Sequence, residues 1–440
     1  MKKFARLFFL QMKSFLKKII VTILTWEAKM MLVLHHPKIV AVTGTVGKTT
    51  TKDAIYSVLE PHVTVRKSQK SFNSELGVPL TILDLPNAWG SPIGWLANVV
   101  RGFFRLVFSR NYPEWLVLEI GADHPGDITV LTKWVKPDIA VVTKLSKTPV
   151  HVEFFHSVAE VINEKKQLVH AVKAGGTVIL NSDDEDVMAF KDACLGRLIT
   201  FGAIGDADIH FSHEHIVYDS ELPVGMSAKI HYQDNAIPLS VAGTLGTQMW
   251  YPLLAALSVG VSLGFNLVEL TQSLSSFRGP NGRMRLIHGV KGSVIIDDTY
   301  NASPVAVSAA LKTLTSVETR GRKIAVIADM LELGKHSVDA HKKIGLEVAV
   351  GVDLFVCVGE RMKDALQSAL NAGLYENKAL QFDTAPEAGT YLKGILQTGD
   401  VILVKGSQGM RMEKTVFELM EHPEQAHELL VRQEDEWRSR

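Results

Sequence analysis

The residues best suited to chemistry stand in the segment GTVGKTT, Gly44 to Thr50, between a predicted strand and a predicted helix. Glycines let the backbone approach phosphate oxygens, and the amides at a helix start favour an anion. Lys48 would bring a positive charge to the β- and γ-phosphates of a nucleotide, and the Thr49 hydroxyl would bind Mg²⁺. A full P-loop spacing needs glycine where this chain has Val42, so the segment is a short form of that motif. The alternative is a glycine–lysine turn without a ligand.

Three further residues are candidates for a metal and phosphate site. Glu119 ends an apolar strand, and Mg²⁺ prefers oxygen ligands such as a carboxylate together with phosphate oxygens. His151 lies in a loop after another strand, and Lys165 lies in the helix that follows. Each has an ordinary alternative: a strand-end acid, a structural or surface histidine, and a lysine on a solvated helix face.

Two segments in the second half of the chain also follow predicted strands. IIDDTYNASP, Ile295 to Pro304, contains an aspartate that can hold ribose hydroxyls, and Asn301 and Ser303 can cap the helix that follows. VKGSQGMRME, residues 404–413, places Lys405, Ser407 and Arg411 at another strand end, where such a cluster suits a carboxylate or phosphate group. Taken singly, these motifs are short and unspecific.

These motifs need a scaffold in which strands end at a common edge. From Lys38 onward, apolar runs alternate with helical sequence, which predicts a mostly parallel sheet covered by helices on both faces. Residues 206–241 predict a small antiparallel β subdomain, and a second strand–helix series begins after the glycine-rich stretch 277–284. The predicted fold class is α/β, with a central parallel-sheet P-loop ATPase domain and a Rossmann-like C-terminal domain. The predicted divisions are residues 1–36, 37–279 and 280–440.

Composition narrows the function classes. The chain has 440 residues, 46% of them hydrophobic, which suits sizeable cores and excludes wholesale disorder. Lys+Arg and Asp+Glu both number 47, so a globally basic nucleic-acid binder is disfavoured. Two cysteines exclude a disulfide framework, a four-cysteine zinc site and an iron–sulfur cluster. They fit a reducing compartment, so the expected location is cytoplasmic.

The first eighteen residues carry six basic residues and no acid. This pattern is typical of a basic amphipathic helix on an anionic membrane surface, and the apolar runs are too short to span a bilayer. A second segment, Gly94 to Trp115, combines three arginines with many aromatic and aliphatic residues and predicts peripheral contact with the inner face of the membrane. The alternatives are packing on the protein itself, on a partner subunit or on a peptide substrate. The two faces of the first helix are Lys2, Arg6, Lys13 and Lys17 against Phe4, Phe8, Met12, Phe15 and Ile19.

Taken in order, seven segments of the chain resemble the Mur ligase family of ATP-dependent amide-forming enzymes. DDTYNASP and ADMLELG resemble, within that family, the members that add D-alanyl-D-alanine during peptidoglycan synthesis. The resemblance runs from about Lys38 to Glu413. Its segments are AVTGTVGKTTTKDAI, NSELGVPLT, LEIGADHPGDI, HVEFFHS with EKKQL, DDTYNASP, ADMLELG and VKGSQGMRME.

The resemblance implies a role for each candidate residue. Catalytic roles fall to Lys48, His151 and Lys165, with Lys165 carbamylated so that its oxygens help to hold a second Mg²⁺. Metal binding falls to Thr49, Glu119, His151 and Lys165. Substrate binding falls to Asn73, Tyr300, Lys405 and Arg411. ATP binding falls to Gly44, Thr45, Gly47, Lys48, Thr49, Thr50, Gln248, Arg283, Asp298 and Asn301.

The implied reaction is ADP-forming peptide ligation. ATP phosphorylates the carboxylate of a muramoyl peptide, and the amine of D-alanyl-D-alanine then displaces phosphate, so the expected partners are small-molecule substrates and no nucleic acid. Two departures are expected to matter: only 43 residues precede Gly44, too few for the family's carrier-binding domain, and Gln248 stands where a histidine is usual. The alternatives are a related ligase for another amine and a different, lipid-linked carboxylate, or a non-catalytic nucleotide-binding scaffold.

Overall fold

Two β-sheets flanked by helices organise the chain, one of nine strands and one of six. The computed structural model describes residues 2–69, 72–89, 91–145, 155, 157–203, 205–434 and 437, with the side chains of the first helix described from Lys17 onward. The predicted α/β class is confirmed, since strands and helices alternate through most of both parts.

The larger sheet begins at the predicted strand that precedes the phosphate loop. Its strands are β1 Lys38–Thr43, β2 Val65–Lys67, β3 Trp115–Glu119, β4 Ile139–Val142, β5 Thr177–Asn181, β6 Arg197–Gly202, β7 Ile209–Asp219, β8 Leu222–Tyr232 and β9 Asn235–Ala242. Their spatial order is β2-β3-β1-β4-β5-β6-β7-β8-β9. In this spatial order, every pair of neighbouring strands between β2 and β7 is parallel. The carboxyl ends of β1, β3 and β4 therefore meet at one edge of the sheet.

The predicted antiparallel region is confirmed as antiparallel, but it does not stand apart from the parallel sheet. β7, β8 and β9 pair antiparallel with one another. β7 also pairs parallel with β6 through Phe201 opposite Ile209 and Gly202 opposite His210. Backbone hydrogen bonding therefore continues from one set to the other, and the region extends the central sheet.

β1 is buried on both faces, which explains its uninterrupted apolar sequence. Successive side chains of a strand point to opposite faces. Val40 and Val42 belong to the cluster that includes Leu254, while Ile39 and Ala41 belong to the cluster that includes Leu24. The helices of this part are α1 Lys2–His35, α2 Lys48–Leu59, α3 Gly77–Leu83, α4 Pro92–Phe108, α5 Asp127–Thr132, α6 Val158–His170, α7 Glu185–Met188, α8 Trp250–Ser262 and α9 Leu267–Ser275.

The first helix is confirmed as a helix, and its second half packs on the protein through Leu24, Ala28 and Met31. The side chains of residues 1–16, on which the two predicted faces mainly depend, lie outside the described part of the chain. Within the described residues, every helix falls short of the combined length and apolarity that crossing a bilayer requires.

The smaller sheet follows the second strand–helix series that the sequence predicts. Its order is antiparallel β10 on β11, followed by the parallel strands β15, β12, β13 and β14. The strands are β10 Arg285–Gly289, β11 Ser293–Asp298, β12 Lys323–Ala328, β13 Leu354–Val358, β14 Ala379–Phe382 and β15 Val401–Lys405. The helices are α10 Pro304–Ser316, α11 Ser337–Val348, α12 Met362–Asn371, α13 Ala385–Ile395, α14 Glu413–Leu419 and α15 Ala426–Leu429.

The tail after Met412 is rich in acidic residues. It forms two short helices, α14 and α15, and its later residues return to the protein. Arg432 is buried there and donates to Glu413 over 2.8 Å. A buried ion pair with hydrogen bonds holds this end of the described chain in place.

Candidate active site

The phosphate loop joins β1 to α2 at the carboxyl edge of the larger sheet. Gly44 and Gly47 have positive φ angles of 146° and 86°. A Cβ on Gly44 would overlap with the Thr143 hydroxyl, so this position requires glycine. The Thr45 N–H donates to the Lys144 carbonyl over 2.7 Å, which ties the loop to the residues after β4. The loop therefore holds the N-terminus of α2, whose first N–H groups lack helical partners, in a fixed place.

A cavity of about 330 Å³ lies above this loop and is lined by residues from both parts of the chain. The larger sheet supplies the loop, a strand end and a helix, and the C-terminal part supplies the segment after β11. The structure thus brings together most of the predicted site. The predicted residues that line this cavity are Gly44, Thr45, Gly47, Lys48, Thr49, Asn73, Glu119, Lys165, Arg283, Tyr300 and Asn301.

The Glu119 carboxylate accepts hydrogen bonds from two other predicted residues. Thr49 Oγ1 donates to Oε2 over 2.9 Å, and Asn73 Nδ2 donates to Oε1 over 3.3 Å. Parallel pairing places Glu119 beside Val42, just before the loop. The Glu119 side chain is buried, so its charge acts in a poorly solvated space. A hydroxyl and a carboxylate, both hard oxygen donors, therefore meet at the floor of the cavity.

Two lysine amines line the same cavity, and the pKa of each is lowered. Burial lowers the pKa of Lys48, and the charge of Arg283 lowers it further against the opposing effect of Glu119. Burial, followed by the charge of Lys48, lowers the pKa of Lys165 to about 7. Lys48 Nζ donates to the Gly44 carbonyl over 3.0 Å. An anion bound here would favour the charged form of both amines, which is the electrostatic behaviour of a phosphate site.

Glu164 fixes the helix that carries Lys165. Its carboxylate accepts from the Thr129 N–H over 2.8 Å and from the Thr129 hydroxyl over 3.0 Å. Ser157 caps the N-terminus of α6 by accepting from Glu160 N over 3.2 Å. The contact of Glu164 with α5 holds α6 in place, and the next residue of this helix, Lys165, lines the cavity.

Arg283 and Tyr300 approach the loop from the C-terminal part. The Arg283 guanidinium carbon lies 4.1 Å from the centroid of the Tyr300 ring, a cation–π contact. Arg283 Nε is buried and has no hydrogen-bond partner in the described part of the chain. Asn301 is also in the lining, and its Oδ1 accepts from Ala302 N over 2.9 Å. A stacked guanidinium with an unpaired N–H suits a phosphate group.

Asp298 and Lys405 form an ion pair beneath the cavity wall. Lys405 Nζ lies 2.5 Å from Asp298 Oδ2 and donates to the Asn301 carbonyl over 2.9 Å. The register of β11 and β15 places the two residues side by side, and both are buried. The expectations of a ribose ligand at Asp298 and a substrate-carboxylate ligand at Lys405 do not agree with this arrangement, because each charge already neutralises the other.

Three more predicted residues lie away from the cavity lining. Gln248 Nε2 donates to Thr313 Oγ1 over 3.3 Å, and Gln248 lines a separate cavity of about 440 Å³ beside α8 and α10. Arg411 donates to Glu413 over 2.5 Å and to the Trp437 carbonyl over 2.9 Å, so its charge is already engaged. Thr50 is buried in α2. His151 lies outside the described residues.

Sequence reasoning missed a set of tail residues beside the site. A third cavity, about 530 Å³, shares Thr49, Arg283 and Tyr300 with the first and is also lined by Trp89 and Trp437. The two tryptophan rings meet edge to face with centroids 6.4 Å apart. No local spacing signals this contact, because it joins the segment after α3 to the far end of the described chain. Asp123 and Gln408 also line the first cavity and were not predicted, whereas Ser407, named with Lys405 and Arg411 in the sequence, does line it.

The described residues contain no group of three histidine, cysteine, aspartate or glutamate side chains placed to hold a metal ion. At a nucleotide site, one or two protein ligands are completed by phosphate oxygens, which is the usual manner of Mg²⁺ binding there.

Comparison with known proteins places these features in one family. The Mur ligase middle domain matches residues 42–260, and the Mur ligase glutamate ligase domain matches residues 282–408. A UDP-N-acetylmuramoyl-tripeptide–D-alanyl-D-alanine ligase of Mycobacterium leprae (strain TN) is 30% identical over 396 residues, covering 84% of this chain and 71% of that protein. A ligase of the same name from Bacillus subtilis (strain 168) is 28% identical over 387 residues, covering 88% of this chain and 76% of that protein.

Solved structures agree with these matches. MurF from Acinetobacter baumannii superimposes with a TM-score of 0.75 at 25% identity, covering 91% of this chain and 80% of that one. The MurF ligase from Thermotoga maritima in complex with ADP gives a TM-score of 0.74 at 25% identity, covering 92% of this chain and 84% of that one. Because sequence and fold match along most of the length, the chain belongs to the Mur ligase family.

Proposed function

We propose that this protein is an ATP-dependent, ADP-forming ligase that joins D-alanyl-D-alanine to the carboxylate of a muramoyl peptide in peptidoglycan precursor synthesis. The observation that carries the proposal is the shared cavity, in which the phosphate loop faces Arg283, Tyr300 and Asn301. Similarity to UDP-N-acetylmuramoyl-tripeptide–D-alanyl-D-alanine ligases supports the choice of both substrates. In this proposal, residues 37–279 bind the phosphates and residues 280–440 complete the nucleotide site.

The phosphate loop and two cationic side chains would bind the phosphates of ATP. The amides of Gly44, Thr45 and Gly47 and the N-terminus of α2 would hold the phosphate oxygens. Lys48 would stabilise the charge that develops on the transferring phosphoryl group, and Arg283 would add a second cation from the opposite wall. The lowered pKa of Lys48 would return toward its ordinary value when the polyphosphate binds, because an adjacent anion favours the ammonium form.

Thr49 and Glu119 fit Mg²⁺ by their chemistry, since a hydroxyl and a carboxylate already lie 2.9 Å apart at the cavity floor. Mg²⁺ bound there would offset phosphate charge and polarise the γ-phosphoryl group. Asn73 would keep the Glu119 carboxylate oriented through its hydrogen bond to Oε1. His151 belongs to the same proposed set on the grounds of the family resemblance.

Carbamylation of Lys165 is part of the proposal. A lysine amine attacks carbon dioxide only in its neutral form, and a pKa of about 7 makes that form abundant at neutral pH. The nitrogen would form a bond to the carbon of CO₂ and release a proton to water. The product is an anion with two oxygens, which would replace a destabilised cation beside Lys48 and could help to hold a second Mg²⁺.

Ligation would proceed in two displacements. A carboxylate oxygen of the muramoyl peptide attacks the γ-phosphorus and ADP leaves, which yields an acyl phosphate. The neutral amine of D-alanyl-D-alanine then attacks the acyl carbon, phosphate leaves, and the amine loses a proton as the amide forms. Because both parts of the chain line the cavity, they can restrict the entry of water that would hydrolyse the acyl phosphate. Asn73 and Tyr300 would contact the carboxylate substrate, while Lys405 and Arg411, whose charges are engaged within the protein, would have structural roles.

A second candidate is a Mur-type ligase for a different, lipid-linked carboxylate. The observation that favours it is the third cavity, whose lining includes Asn87 and Trp89 just before α4. The outer face of α4 is apolar and exposed. We propose accordingly that the protein works at the inner face of the membrane.

The direct test is phosphate release from ATP with UDP-muramoyl-tripeptide as carboxylate, measured with D-alanyl-D-alanine, with single amino acids and without an amine. We expect release to require the dipeptide. Lys48→Ala should reduce it by at least about 100-fold while the protein remains folded, because it removes a transition-state charge. The matched control is Lys133→Ala, an exposed lysine outside the lining of the cavity. A preference for a single amino acid, or normal turnover in folded Lys48→Ala, would contradict the assignment.

A further inference from the structure

Exposed apolar side chains are concentrated on two neighbouring helices. Half of the large hydrophobic side chains that are exposed in the described part of the chain belong to α4 and to the second half of α1. The rest are spread over many elements, which is normal for a protein surface. A contiguous apolar set of this kind marks a binding surface.

The outer face of α4 is apolar along its whole length. Ile93, Leu96, Val100, Phe103 and Val107 follow one another at intervals of three or four residues, so they form one stripe. All five are exposed, Ile93 by 82% and Leu96 by 65%. Trp95, Val99 and Leu106 lie beside this stripe and pack against the buried cluster beneath, and Asn98 and Gly102 are the buried residues of the helix. An apolar stripe that faces outward along a whole helix is typical of a helix that lies at a membrane interface.

α1 continues this surface. Ile19, Trp26 and Val33 are exposed and stand seven residues apart, which places them on one face of the helix. Trp26 directly precedes Glu27, and a Cβ on Gly102 of α4 would overlap with the Glu27 carboxylate. The exposed stripe of α1 therefore borders its contact with α4.

Basic residues predominate around this surface, although Arg105 forms an ion pair with Asp84. Residues 1–38 contain eight lysines and arginines and one acid, Glu27, and residues 91–113 contain three arginines and no acid. Lys17, Lys18, Lys29 and Arg101 are exposed. Burial raises the pKa of Glu27 to about 7, so even this acid carries only part of its charge at neutral pH. Since the whole chain has a formal net charge of zero, the positive charge is concentrated beside the apolar stripes.

We propose that the outer faces of α1 and α4 bind the surface of a bilayer rich in anionic phospholipid, with the apolar stripes among the acyl chains and the basic residues at the phosphates. Charge complementarity selects this occupant, since a second copy would oppose basic residues to basic residues. A nucleic acid would leave the apolar stripes without a partner. The inference rests on the proposed location at the membrane and deepens it by naming the surface and the lipid.

The outer face of α4 is connected to the active site through the segment that contains Trp89. α4 begins three residues after Trp89, and Trp89 lines the cavity that shares Thr49 and Arg283 with the nucleotide site. A bilayer held against α4 would therefore contact a helix whose N-terminus is joined directly to a segment that lines this cavity. Membrane-borne precursors would be concentrated near that segment.

Vesicle sedimentation of the full chain tests the proposal without ATP or substrates, so its outcome is separate from that of the ligase assay. The vesicles contain phosphatidylcholine alone or an equimolar mixture with phosphatidylglycerol. We expect binding to the anionic vesicles at about 50 mM salt, with at least tenfold weaker binding at about 500 mM salt or to neutral vesicles.

The matched variants carry three exposed apolar residues replaced by serine. Phe103→Ser, Val107→Ser and Phe108→Ser together should weaken binding by roughly tenfold or more. Leu346→Ser, Val350→Ser and Phe417→Ser, which are exposed elsewhere, should leave binding unchanged. Circular dichroism confirms that both variants are folded, and the single variant Phe108→Ser replaces the triple one if it is not.

Three results would overturn the proposal. The first is no binding of the wild-type chain to anionic vesicles at low salt. The second is equal binding of the α4 variant and its control. The third is a dimer that dissociates in the α4 variant while neither protein binds vesicles, because the surface would then belong to a second copy of the chain.

Discussion

The Thr49 hydroxyl donates to the Glu119 carboxylate over 2.9 Å, which joins the first turn of α2 to the end of β3. The two residues lie far apart in sequence and meet because β1 and β3 are parallel neighbours. Parallel strands deliver their carboxyl ends to one edge, so a loop residue and a strand-end acid can share one ion. This contact is the structural basis for the proposed Mg²⁺ site.

Glu119→Gln should raise the Mg²⁺ concentration needed for half-maximal phosphate release by roughly tenfold or more. The amide oxygen can still accept from Thr49, so the melting temperature should change little. Titration of activity with Mg²⁺ measures the effect, with Glu185→Gln on exposed α7 as the control. An unchanged Mg²⁺ requirement in Glu119→Gln would remove this carboxylate from the metal site.

Lys165 should carry a carbamate when bicarbonate is present. A pKa of about 7 supplies the neutral amine, so the modification should form readily at pH values near or above 7. Labelling with ¹³C-bicarbonate should give a carbamate carbon signal in the nuclear magnetic resonance spectrum of the wild type and of Lys166→Ala, but not of Lys165→Ala. Activity of Lys165→Ala should be lost, unrestored by bicarbonate and partly rescued by short carboxylic acids. The same signal in Lys165→Ala, or full activity of this variant, would exclude the carbamate at this position.

Lys405 should prove to be structural. Lys405→Met leaves the Asp298 carboxylate buried without its partner, and the free energy of unfolding should fall by roughly 3–5 kcal/mol. Combining it with Asp298→Asn should recover part of that loss, since the unpaired charge is then absent. Urea unfolding of the single and double variants measures this coupling. Strictly additive effects on the free energy of unfolding would contradict the coupling of the pair. A stable Lys405→Met with impaired substrate binding would identify Lys405 as a substrate ligand.

Glu27 should make the protein less stable as the pH rises. Burial raises the pKa of its carboxyl from 4.5 to about 7. The unfolded chain therefore loses this proton first, and the folded state is destabilised progressively as the pH rises from about 4.5 to about 7. Glu27→Gln should be more stable than the wild type near pH 8, by about 2 kcal/mol, and similar to it near pH 4. Thermal unfolding at both pH values, with exposed Glu114→Gln as the control, measures the difference; an equal difference at the two values would contradict this account.

Local sequence predicted the elements that position the site. β1 was expected to end at the glycine turn and does end at Thr43, because a buried apolar run and the first loop glycine both act over a few residues. Glu119 followed from the same reasoning, since strand-end residues of a parallel sheet meet at one edge. That is why Thr49 and Glu119 could be placed together without a structure. Asn73, Arg283 and Tyr300 were indicated by the family resemblance.

Contacts that depend on register or on distant segments were not predictable in this way. Lys405 pairs with Asp298 because β11 and β15 are neighbours in the smaller sheet, and the chain order of these strands does not show that. Arg411 faces Glu413 and Trp437 because the tail returns to the protein. Neither fact is encoded in a periodic pattern of apolar residues.

The central claim is that phosphate is transferred from ATP to a carboxylate before the amide forms. The decisive measurement uses UDP-muramoyl-tripeptide with ¹⁸O in its reacting carboxylate, together with ATP and D-alanyl-D-alanine. Ligation through an acyl phosphate moves a carboxylate oxygen to phosphate, so mass spectrometry should find ¹⁸O in the phosphate that is released along with the new amide product. Unlabelled phosphate from a reaction that makes the amide, or no amide from any dipeptide-containing reaction, would contradict the account.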